Sequence, residues 1–195
     1  MEEGDGETDG YVRVSAAISD LTLLCGYDSM VSFLHGYWEQ HEKQSDDLAN
    51  LLGSINRTVS GPPLDAAQWS DWLDAILSIQ PNLESVRCAR EQIQTDHEAF
   101  LKALKIQDAD AQRSTLDLLR KEVQKRSWHI AGDEQISLLE AYTAVGAFLR
   151  AYWKRGNSQS KDVFQVIQQI ENSHPAVWES WVNVVAEQNK IERNS

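Results

Sequence analysis

YDSMVSFLHGYWEQHEKQSDDLANLLGSI runs from Tyr27 to Ile55, and YTAVGAFLRAYWKRGNSQSKDVFQVIQQI runs from Tyr142 to Ile170. Set together at an offset of 115 residues, the stretches share nine identities. Tyr27, Phe33, Leu34, Tyr37, Trp38, Gln44, Ser45, Asp47 and Ile55 recur as Tyr142, Phe148, Leu149, Tyr152, Trp153, Gln159, Ser160, Asp162 and Ile170. Upstream, Leu23 and Leu24 recur as Leu138 and Leu139. Downstream, Trp69 and Trp72 recur as Trp178 and Trp181 at an offset of 109, so the second segment is six residues shorter between its second and third elements. F-L-x-x-Y-W and W-x-x-W return in the same order, which reads as a tandem duplication.

Each copy reads as three helices. Leu24, Tyr27, Val31, Leu34 and Trp38 fall at three- and four-residue steps and share one face, as do Leu139, Tyr142, Gly146, Leu149 and Trp153. The second helix starts behind Ser45 or Ser160, residues whose hydroxyl can accept an orphan backbone N–H. Its stripe is Leu48, Leu51, Leu52 and Ile55, or Val163, Val166, Ile167 and Ile170. Gly61-Pro62-Pro63 breaks the chain, and Asp65 precedes Gln68 by three residues in the manner of a capping box. Pro175 takes the corresponding first-turn position in the second copy. Trp69, Trp72, Leu73 and Ile76, or Trp178, Trp181, Val182 and Val185, form the third stripe.

Between the copies, Val86, Ile93, Phe100 and Leu104 give one connecting helix. Leu116, Leu119 and Val123 give another, capped by Asp108 or Asp110. No alternating strand pattern stands out. The expected fold is all-α: about eight helices, two duplicated three-helix units joined by two connecting helices in one compact domain. The expected divisions are an acidic flexible tail at 1–17, the first repeat at 18–80, connecting helices at 81–130 and the second repeat at 131–195.

The chain of 195 residues carries 18 Lys and Arg against 30 Asp and Glu, a net charge of −12. A nucleic-acid binder needs a cationic footprint, and an anionic membrane surface repels such a chain, so neither partner is expected. The excess is uneven. Residues 1–83 hold 14 acids and 3 bases, residues 84–126 hold 8 and 9, and residues 127–195 hold 8 and 6. Two cysteines, Cys25 and Cys88, make neither a disulfide framework nor a zinc site. No signal-peptide pattern and no long apolar run is present, so a reduced, cytoplasmic protein is expected.

No nucleophile elbow, phosphate-binding loop or dinucleotide fingerprint occurs. His35 and His41, with Glu39 and Glu42 nearby, do not have the spacing of a helical zinc motif and read as a solvated helix face. No catalytic residue, cofactor or metal is therefore expected, and the chain is not read as an enzyme. The suggestive charges are acidic. Asp46 and Asp47 follow the cap Ser45, where a helix N-terminus favours negative charge. Asp71 and Asp74 sit three apart, on a face turned from Trp69 and Trp72.

YDSMVSFLHGYWE, then QSDDLANLLGSI, then LDAAQWSDWLDAI resembles small immunity proteins of bacterial polymorphic-toxin systems, including those of contact-dependent inhibition. The resemblance covers about residues 21–79 well and 136–186 more weakly. Leu64-Asp65-Ala66 stands where that family has a D-P turn. The resemblance implies a cytoplasmic antitoxin that binds a cognate toxin domain and occludes it, without catalysis. A basic toxin such as a nuclease suits the acidic surface. Glu42, Asp46, Asp47, Asp65, Asp71 and Asp74 are the expected contacts. In the second copy Lys161, Ser180 and Asn183 replace Asp46, Asp71 and Asp74, so the first copy is expected to face the toxin. The alternative is a non-catalytic helical-repeat scaffold or adaptor that binds a peptide or protein partner, although copies about 60 residues apart suit a regular solenoid poorly.

Overall fold

The structure is a computed structural model that describes residues 20–57, 63, 65, 67–126, 130–156 and 158–193. The acidic tail, Gly61, Pro62 and Trp128 lie outside the described residues. The order is β1 (Asp20–Thr22), α1 (Leu23–Gln40), α2 (Asp46–Ile55), α3 (Ala67–Ile79), α4 (Glu84–Ala103), α5 (Ala109–Lys125), β2 (Gln135–Ser137), α6 (Leu138–Arg155), α7 (Lys161–Glu171) and α8 (Pro175–Arg193). The fold is all-α, with eight helices among the described residues, and the two sequence segments run in the same order of elements.

The two short strands depart from the strand-free expectation. They pair antiparallel, with Leu21 opposite Ile136. Their purpose is visible in the next residues. The Leu23 and Leu24 amides, orphan donors at the start of α1, donate to the Glu134 and Gly132 carbonyls at 2.9 and 3.0 Å. Three residues are too few to leave an alternating pattern in the sequence.

Leu21 and Ile136 are matched residues of the two segments, so the ladder is centred on an equivalent pair. The helices also pair between the segments. The α3 helix packs mainly on α6 and α8 mainly on α1, so each segment lends its third helix to the first helix of the other. α2 meets α7, and α1 meets α6.

The core follows from this exchange. The Trp72 indole donates to the Leu23 carbonyl at 3.1 Å, and the matched Trp181 donates to the Leu138 carbonyl at 3.4 Å. Tyr27 meets Trp69 and Trp72 edge-on, Tyr142 does the same with Trp178, and Phe33 of α1 abuts Trp181 of α8. Such pairs add about 0.5–1.5 kcal/mol each beyond the area they bury. Three of the caps fall where the sequence places them. Ser45 accepts from the Leu48 amide, Ser160 from the Val163 amide and Asp108 from the Ala111 amide.

Candidate partner-binding face

The six expected contacts separate into two groups. Asp71 and Asp74 are each paired with an arginine of a neighbouring helix, and the Asp74 side chain stays 49% exposed. Arg155 of α6 grips Asp71 of α3 with both terminal nitrogens, at 3.2 and 2.7 Å. Arg90 of α4 donates to Asp74 at 2.7 Å. Burial pushes the Asp71 carboxyl above its usual range, with Arg155 opposing that rise. Asp65 is also occupied locally. Its carboxylate accepts from the Ala67 amide at 3.0 Å and from the Gln68 side chain at 3.2 Å. The Gln68 side chain thus meets the Asp65 carboxylate and not the Asp65 amide, which donates instead to Ser54. A reciprocal capping box does not form here.

Glu42, Asp46 and Asp47 are exposed at the turn from α1 into α2. Among the described residues, Asp46 and Asp47 have no Lys, Arg or His at ion-pair distance, and Glu42 accepts only from Gln44, at 2.9 Å. The turn itself is held unusually. Glu42 and Lys43 have φ of 57° and 58°, and the Lys43 amide reaches back to the Trp38 carbonyl at 3.0 Å. The matched Ser158, at φ 58°, reaches the Trp153 carbonyl at the same distance. Both first helices therefore stop in a left-handed C-cap without glycine at this position.

These turns border two open grooves, one on either side of the contact between α2 and α7. Groove 1, about 520 Å³, is lined by Tyr37, Gln40, His41, Glu42, Gln44 and Ser45, with Leu48 of α2 and Asp162 and Gln165 of α7 opposite. Groove 2, about 590 Å³, is lined by Tyr152, Trp153, Arg155, Gly156, Gln159 and Ser160, with Asp47 and Gln68 opposite. The two are counterparts. Tyr37, Gln40, His41, Gln44 and Ser45 match Tyr152, Arg155, Gly156, Gln159 and Ser160, and Asp162 matches Asp47. Each groove thus sets a tyrosine of one segment against an aspartate of the other.

In groove 1 the His41 ring stacks on Tyr37 at 4.1 Å between centroids. Tyr37 is buried, and its hydroxyl forms no hydrogen bond of good geometry. Burial raises its pKa, the Gln169 amide opposes that rise, and the Asp162 carboxylate adds to it. In groove 2 burial likewise raises Tyr152, with Asp47 adding and Arg155 opposing.

Asp162, Tyr37 and Gln40 were not among the contacts expected from the sequence. One signal did point there. Asp47 and Asp162 are the only acidic pair that recurs among the aligned identities, while Asp46 is matched by Lys161. The second segment also borders this region, since α7 supplies one wall of groove 1. Among the described residues no three His, Cys, Asp or Glu side chains gather as a metal-holding group, and no helix is long and apolar enough to cross a membrane. Comparison of the chain with protein-family models, curated proteins and solved structures returned no match.

Proposed function

We propose that the protein is a cytoplasmic antitoxin that binds a basic bacterial toxin domain one to one and occludes it. The observation that carries this reading is the set of exposed carboxylates, Glu42, Asp46, Asp47 and Asp162, around two open grooves. Asp46, Asp47 and Asp162 sit in the first turns of α2 and α7, where the helix dipoles favour negative charge. A cationic cleft that normally receives phosphates would find complementary charge there. Such complementarity mainly accelerates capture, which an antitoxin needs because the toxin acts as soon as it is free. The immunity-protein resemblance of residues 21–79 supports the same reading.

Co-expression tests it. The chain is produced with the toxin domain encoded beside its gene, and growth is followed. Protection together with a recoverable complex is expected; unrestrained growth arrest without a complex rejects the reading.

The adaptor reading has one observation in its favour. The α4–α5 hairpin contributes few residues to the core, and Leu104 and Leu118 on it are 57% and 61% exposed. Deleting that hairpin tests the adaptor reading, because an antitoxin acting through the grooves keeps its partner.

A further inference from the structure

We draw no further inference here: the strongest candidate, the groove of about 390 Å³ between the start of α3 and the distal half of α4, lined by Ile93 and Phe100 with the exposed Leu101 and Leu104 beyond them, carries nothing because nothing in the structure shows what covers it.

Discussion

Tyr27 and Tyr142 occupy matched positions, and their hydroxyls meet different surroundings. Tyr27 donates to the Ile55 carbonyl at 3.0 Å, whereas the buried Tyr142 hydroxyl makes no hydrogen bond. Burial pushes the Tyr142 pKa up to about 12, and Tyr27 higher still, with Asp28 adding to the effect of burial. Tyr27→Phe should therefore cost about 1 kcal/mol of stability by urea unfolding, the net value of one such bond. Tyr142→Phe should cost nothing or stabilise, because it removes a desolvated group without a partner. The turn after α1 gives a second contrast. Lys43 stands at φ 58°, and glycine there escapes a left-handed penalty of about 1 kcal/mol, so Lys43→Gly should raise the unfolding midpoint. The sequence marks both tyrosines as core from their spacing. It does not show which hydroxyl finds a carbonyl, since Ile55 reaches Tyr27 only through the packing of α2 on α1.

Single elements were the most legible part of the chain, because caps and apolar stripes are local chemistry. The start of α6 is the best-built example. Ser137 accepts from the Glu140 amide, Glu140 accepts from the Ser137 amide at 2.8 Å, and the Gln80 side chain after α3 also donates to Glu140. The Ser137 amide does most to hold the Glu140 carboxyl below the usual glutamate range, against the opposing effect of partial burial. A depressed carboxyl pKa stabilises the fold above the unfolded value, about pH 4.3, and that contribution disappears as pH falls through the folded value. Glu140→Ala should accordingly cost about 1 kcal/mol at pH 7, and the difference from the parent should shrink in unfolding experiments below about pH 4. The elements the sequence missed, β1 and β2, and the altered cap at Asp65 depend on residues distant in the chain. Asp65 donates its amide to Ser54, and β1 has no meaning without β2.

At the scale of the molecule, the decisive feature is the exchange of third helices, which no spacing in the sequence reveals. Because α3 leans on α6 and α8 on α1, neither segment holds a complete core of its own. Residues 1–130 expressed alone should show no cooperative transition, and mixing them with the remainder should restore helical circular dichroism. The fully buried Trp181 joins Phe33 of the first segment to Leu138 of the second, so Trp181→Ala should cost about 3–5 kcal/mol. The same exchange creates the grooves by bringing α7 to the end of α1 and α2 to the end of α6. This explains why the sequence could nominate acidic residues yet not separate those paired with Arg155 and Arg90 from those with no arginine beside them. The central claim is that the chain acts by stoichiometric occlusion. Its most direct test is titration of the adjacent-gene toxin domain with purified chain while toxin activity is read. Activity should fall in proportion and vanish at one equivalent. Loss at a small fraction of an equivalent, or activity persisting in excess chain, would contradict the account.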